Sequence, residues 1–250
     1  MSSLEGRIAL VTGASQGIGR ACAIALARAG ASVAVAARNE AKLQDVVNEI
    51  AGSGGNAKAF ALDVASEESI KTTAKAILEH FGSVHILVNN AGITRDAMLH
   101  RMTKEQWDAV VRTDLDSLFN MCRQVIESMR NRNFGRIINV SSINGRKGQM
   151  GQTNYSAAKA GVHGFTKALA FEGAAKGITV NTIAPGYIAT EMVAAVPKEV
   201  LETKIIPQIP VGRLGESDEI ARAVVFLAAD EAGFVTGACL DVNGGHYMAT

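Results

Sequence analysis

Short apolar runs with little polar alternation recur along the whole chain, and a helical stretch separates each from the next. Ile8–Thr12, Ser32–Ala37 and Ile178–Ala184 are such runs, as are Lys58–Val64, Val84–Asn89, Arg136–Ser141 and Ala238–Val242. A strand that is apolar on both faces has no solvent side, so it belongs in a sheet covered by helices above and below. Strands joined through helices run parallel. The pattern predicts an α/β chain with a doubly wound, seven-stranded parallel sheet and helices on both faces. Ligands then bind beyond the C-terminal ends of the strands.

The predicted helices cover 40–52, 66–81, 103–131, 153–176 and 217–229, with an Ala-rich helix before Gly30. Residues 191–212 contain Pro197, Pro207 and Pro210 and read as irregular short helices, so a lid is expected at about 190–212. No linker or repeat interrupts the 250 residues, which are expected to form a single domain over 1–250. A net charge of +1 without any charged block argues against a nucleic-acid or polybasic membrane surface. The most apolar long window, 21–37, is broken by Arg28 and Gly30, so no membrane span is expected. Cys22, Cys122 and Cys239 lack metal-ligand spacing and read as reduced thiols, and residues 1–8 have no apolar signal core. A cytoplasmic protein without a metal is expected.

The first strand runs into Thr12-Gly-Ala-Ser-Gln-Gly-Ile-Gly19 and then a helix. Glycines at such a turn let backbone approach a phosphate, and the helix start supplies free N–H groups. A tight turn alone could have the same composition. Its place directly after the first strand favours dinucleotide binding and a Rossmann-type sheet. The end of the second strand would face the adenosine ribose. Ala36 and Ala37 carry no charge there and Arg38 follows, which suits a 2′-phosphate and favours NADP(H) over NAD.

Tyr155 and Lys159 share one face of the helix that follows Ser142. An ammonium beside a phenol favours the phenolate, so the tyrosine should titrate below its ordinary range and exchange a proton with a substrate oxygen. Ser142, at a strand end, can hydrogen-bond that same oxygen. A surface tyrosine and lysine at an ordinary helix start would show the same spacing.

Together, Thr12-Gly-x-x-x-Gly-x-Gly19, Asn89-Asn-Ala-Gly92, Ser142, Tyr155-x-x-x-Lys159 and Pro185-Gly186 resemble the short-chain dehydrogenase/reductases over nearly the whole chain. Within that family the chain looks like the reductases of 3-oxoacyl thioesters. The resemblance implies NADPH-dependent reduction to the (3R)-hydroxyacyl thioester, carried on acyl carrier protein or on coenzyme A. It assigns Ser142, Tyr155, Lys159 and Asp114 to catalysis. It places Gly13, Ser15, Gln16, Gly17, Ile18 and Gly19 at the pyrophosphate, and Arg38 at the 2′-phosphate. Asp63 and Val64 would meet the adenine, and Asn90, Ala91 and Gly92 the adenosine side. Pro185, Gly186, Ile188 and Thr190 would meet the nicotinamide end, where Lys159 and Tyr155 also reach the cofactor. Gln149, Met150, Gln152 and Tyr187 would join Ser142 and Tyr155 around the substrate. Two positions depart from the family pattern. Asp114 stands where many members have an Asn that holds a water of the proton relay, and Gln16 stands where many have Arg. The family also implies a homotetramer through helices 103–131 and 153–176. Oxidation of another secondary alcohol, or cofactor binding without turnover, are the competing readings.

Overall fold

The computed structural model describes residues 3–194 and 196–249. The first half contains β1 (Ile8–Thr12), α1 (Gly17–Arg28), β2 (Ser32–Ala37), α2 (Glu40–Gly52), β3 (Asn56–Ala61), α3 (Glu67–Phe81) and β4 (Ile86–Asn89). Then come α4 (Lys104–Val111), a π-helical turn at Arg112–Asp116, α5 (Ser117–Arg132), β5 (Gly135–Val140), α6 (Asn144–Lys147), α7 (Thr153–Ala174) and β6 (Ile178–Pro185). The chain ends through α8 (Glu191–Ala194), α9 (Lys198–Val200), α10 (Ser217–Ala228) and β7 (Cys239–Val242).

The strands form one seven-stranded parallel sheet in the order β3-β2-β1-β4-β5-β6-β7, a Rossmann-type arrangement. Side chains alternate across it. Ala9, Val11, Val33 and Val35 pack with α1, α2 and α10, while Leu10, Ala34, Ala36 and Leu87 pack with α3, α5 and α7. Both faces of the inner strands β2, β1, β4, β5 and β6 are therefore dry, as their unalternating sequences require, while the edge strands β3 and β7 keep exposed positions. The strand order reverses between β1 and β4, and their C-terminal ends open the crevice that holds the site.

Three elements differ from expectation. The third strand stops at Ala61 and not at Val64. Asp63 leaves the sheet because its carboxylate accepts from the Ala65 N–H and its own N–H donates to Ser69 Oγ, forming a turn ahead of α3. The helix expected over 103–131 is interrupted by the π turn, which carries Thr113 and Asp114 inward to buried positions. Such a widened turn often marks a functional position in a helix. Between Ser142 and α7 lies the short α6, which the sequence pattern did not suggest. The expected irregular segment is seen as α8, α9 and further short helical turns to Gln208; Ala195 lies outside the described residues.

A buried polar chain joins the sheet to α7. Asn89 Nδ2 donates to Asn139 Oδ1 at 2.9 Å, and Asn139 Nδ2 donates to Thr166 Oγ1 at 2.9 Å. Thr182 Oγ1 donates to Thr166 Oγ1 at 2.9 Å. All four residues are almost wholly excluded from solvent. Asn139→Ala would remove one hydrogen bond on each side, while Asn89 Nδ2 keeps Cys122 Sγ and Thr166 Oγ1 keeps Thr182 Oγ1, so each loss falls in the lower part of the about 1–3 kcal/mol cost of an unpaired buried group. Unfolding in urea should show a loss of roughly 2–4 kcal/mol with little change in the denaturant slope.

Candidate active site

The crevice is a cleft of about 940 Å³ along the C-terminal ends of β1, β2, β4, β5 and β6. At one end, Gly13 (φ +66°) and Gly17 (φ +54°) adopt left-handed backbone that favours glycine. A Cβ on Gly13 would lie 2.9 Å from both Ala91 Cα and Asn90 Nδ2, and one on Gly19 would overlap the Gly13 carbonyl. The turn is thus pressed against the loop after β4. Thr12 Oγ1 accepts from the N–H groups of Asn90 (3.0 Å) and Ala91 (3.1 Å), while Asn90 Nδ2 donates to the Thr12 carbonyl at 2.9 Å. Gln16 gives α1 no side-chain cap, so the first N–H groups of the helix stay available at the cleft wall. This cradle, with no room for side chains and with free N–H donors, fits the pyrophosphate of a dinucleotide.

The cleft wall includes all the residues assigned to cofactor: Gly13, Ser15, Gln16, Gly17, Ile18, Gly19, Arg38, Asp63, Val64, Asn90, Ala91, Gly92, Tyr155, Lys159, Pro185, Gly186, Ile188 and Thr190. Of the substrate positions, Ser142 and Tyr155 line it as well. The other four lie off that wall. Gln152 Nε2 donates to Asp96 Oδ2 at 2.8 Å, and its Oε1 accepts from Asn144 Nδ2 at 2.9 Å. Gln149 and Met150 are exposed, and Tyr187 stacks on His246 with centroids 5.7 Å apart.

At the other end of the cleft stand the titratable groups. The Ser142 hydroxyl accepts from the Asn144 N–H at 3.1 Å and sits near enough to the Tyr155 phenol to favour its ionised form. Lys159 Nζ donates to the Val140 carbonyl at 3.1 Å and lies 5.6 Å from the centre of the Tyr155 ring. Behind it, Asp114 Oδ2 is 3.2 Å from Lys159 Nζ without hydrogen-bond geometry, and Asp114 Oδ1 accepts from the Ile93 N–H at 2.9 Å. Burial pushes the Asp114 carboxyl up, against the pull of Lys159 and of the Ile93 hydrogen bond. Burial would lower Lys159, but Asp114 and Tyr155 outweigh it and hold the ammonium above its ordinary range.

The Tyr155 phenol departs from expectation. Burial pushes it up; Lys159 and the Ser142 hydroxyl pull it down, and Asp114 and Asp96 oppose that pull. The result lies above the ordinary tyrosine range, so one neighbouring ammonium does not overcome desolvation plus two carboxylates.

The apolar pattern did not single out several residues that the fold brings here. Arg95 and Thr113 line the cleft, and Lys42 Nζ donates to Gln16 Oε1 at 2.9 Å and pairs with Glu191 at 3.4 Å. A cation therefore stands beside Gln16, at the position where many family members carry Arg. Lys42 sits in the first turn of α2, after Arg38, and only the placement of that turn reveals it.

A family model described as Enoyl-(Acyl carrier protein) reductase matches residues 13–247. The chain is 59% identical to an acetoacetyl-CoA reductase of Shinella zoogloeoides over 242 residues, covering 97% of this chain and 99% of the relative. It is 51% identical to a 3-oxoacyl-(acyl-carrier-protein) reductase of Vibrio cholerae, over 98% of this chain and 99% of that protein. An acetoacetyl-CoA reductase of Cupriavidus necator is 49% identical over 97% and 98%. This chain belongs to the short-chain dehydrogenase/reductase family, whose reductases use nicotinamide cofactors.

One group beside the site has a sharp pH signature. Ser141 Oγ donates to the Lys159 carbonyl at 2.8 Å, so it accepts from His163 Nε2 at 3.2 Å, and His163 Nδ1 is buried without a partner among the described residues. Burial, with Arg146 and Lys167 nearby, depresses His163 from 6.5 to about 4. The unfolded chain then binds the extra proton first as pH falls. Stability should be full above pH 6.5 and decline toward pH 4; His163→Gln should flatten that decline in urea titrations across this window.

Proposed function

We propose that this chain reduces the 3-oxo group of an acyl thioester to the (3R)-hydroxyacyl thioester, with NADPH as hydride donor. The observation that carries this reading is the convergence of Ser142 and Tyr155, backed by Lys159, on one wall of a cleft whose far end is a phosphate cradle. The relatives named above supply the substrate class, since they are reductases of acetoacetyl-CoA and of 3-oxoacyl carrier-protein substrates.

In the cleft, Gly13 to Gly19 would hold the pyrophosphate, Arg38 the 2′-phosphate, and Ile188 and Thr190 the nicotinamide end. When bound there, the cofactor would supply the hydride that C3 of the substrate accepts. Ser142 and Tyr155 hydrogen-bond the C3 oxygen and stabilise the negative charge that develops as the carbonyl electron pair moves onto it. Tyr155 gives its phenolic proton to that oxygen, and the ammonium of Lys159 offsets the phenolate left behind. A phenol held above its ordinary range is protonated at neutral pH, the state this direction needs.

The family model's description favours a second reading, reduction of an enoyl thioester. Comparing kcat/KM for acetoacetyl-CoA, acetoacetyl-carrier protein and crotonyl-CoA separates the two. Turnover of a 3-oxo substrate is expected. NADPH oxidation with crotonyl-CoA alone would overturn the main reading, and the ratio of the first two substrates identifies the carrier.

We assign the chain a single-domain architecture over 1–250, with residues 190–212 as the lid over the substrate. Gln149, Met150, Gln152 and Tyr187 would meet the acyl or carrier portion, on the side where Gln152 reaches Asp96. The assembly would be a homotetramer in the cytoplasm. Its support is a groove between α5 and α7 lined by Phe119, Ile126, Phe165 and Leu169. Among the described residues, no helix is long and apolar enough to cross a membrane.

Tyr155→Phe keeps the ring and removes the hydroxyl assigned both to proton delivery and to oxyanion stabilisation. Turnover should fall at least about 1000-fold, with NADPH affinity within a few-fold. Retention of more than about a tenth of the activity would remove Tyr155 from catalysis. Arg38→Ala should weaken NADPH by about 10- to 100-fold and NADH much less, because one charge-assisted hydrogen bond is lost. Fluorescence titration of both cofactors measures this, and equal losses would sink the 2′-phosphate assignment.

A further inference from the structure

Asp114 has no exposed surface, and its carboxylate lies against the Lys159 ammonium, whose side chain is 4% exposed. The π turn aims Asp114 here, and the loop after β4 closes over the contact. A Cβ on Gly92 would lie 2.8 Å from Asp114 Oδ2 and 3.3 Å from Lys159 Nζ, which leaves the pair little room to separate. The Ile93 N–H fixes the other carboxylate oxygen. An amide at this position could not serve both neighbours. If its oxygen accepts from Ile93, its NH₂ faces the ammonium; if its oxygen faces the ammonium, its NH₂ faces the Ile93 N–H.

We infer that Asp114 sets the charge of the reacting cluster and thereby the pH range in which Tyr155 works. With the phenol protonated, carboxylate, ammonium and phenol sum to zero. Loss of a proton from Tyr155 or Lys159 leaves a buried net negative charge. With a neutral residue at 114 the cluster would begin at one positive charge, and its first proton would leave more readily. The direction is the same whichever of the two gives up that proton, because coupled groups titrate as a unit. The other charged group acting on the phenol is Asp96 in the loop after β4; it is exposed and screened by solvent. Arg95, beside it and also exposed, lines the cleft. Ser142, at the end of β5, contributes a neutral hydroxyl. Asp114 is thus a positioning and charge-setting residue that acts through Lys159 and does not itself touch substrate.

The inference rests on Tyr155 being the proton donor. Its test is the pH dependence of kcat in both directions for wild type, Asp114→Asn and Tyr155→Phe, using acetoacetyl-CoA and 3-hydroxybutyryl-CoA. In Asp114→Asn the limb that reports the cluster's first ionisation should move toward acid by about one pH unit. Ultraviolet difference titration of the phenolate, with Tyr155→Phe as the reference, should move in the same direction without relying on turnover. A limb that stays within about 0.2 units, or moves toward alkali, overturns the inference and would mean that Asp114 is already uncharged in the pair. If Tyr155→Phe keeps both activity and the limb, the proposed mechanism itself fails, which is a distinct result. Should Asp114→Asn not fold, Asp114→Ser, smaller and still an acceptor for Ile93, carries the same titration.

Discussion

The docking of α7 onto the sheet is the constraint on which the rest of the site depends. Apolar contacts alone would allow this helix several nearly equivalent seats, because dispersion and burial are not directional. The chain Asn89–Asn139–Thr166–Thr182 removes that freedom, since buried polar groups must find their partners and only one seat satisfies them all. Two further contacts hold the N-terminal half of the helix at β5. Ser141 Oγ donates to the Lys159 carbonyl, and Lys159 Nζ donates to the Val140 carbonyl. A shift of α7 by one turn would break all of these bonds and carry Tyr155 away from Ser142.

A second consequence concerns electrostatics. Lys159 and Asp114 form a buried ion pair, an arrangement that is weak evidence of stability because desolvation offsets much of the attraction. Its value to the protein lies in the field it creates around the phenol. Tyr155 experiences burial, one ammonium, one hydroxyl and two carboxylates together, and the balance keeps its proton in place. A donor in the reductive direction benefits from that balance, whereas a bare Tyr–Lys pair would tilt toward the phenolate.

Much of this could be read in the amino-acid order. Unalternating runs such as Ile8–Thr12 announced strands without a solvent face, and the Gly13–Gly19 turn announced a phosphate cradle, because both rest on local periodicity and on backbone freedom. The third strand ends short of Val64 for a local reason as well: Asp63 turns back on Ala65 and Ser69, and edge strands carry weaker patterns. The π turn could not be read, since Thr113 and Asp114 lie in an otherwise regular helical pattern and are drawn inward by what stands opposite them.

By itself, then, the sequence determined the parallel sheet, the glycine cradle at the end of β1, and a tyrosine and lysine one turn apart after Ser142. These follow from interactions between residues close in the chain. Only the tertiary structure decided that Asp114 meets Lys159 across 45 residues, that Lys42 reaches Gln16 and Glu191, that Gln152 ties Asp96 to Asn144, and that the phenol lies above its ordinary range. Such contacts join distant segments, and a buried group's proton affinity sums desolvation and charge over everything packed around it. No window of neighbouring residues contains that sum.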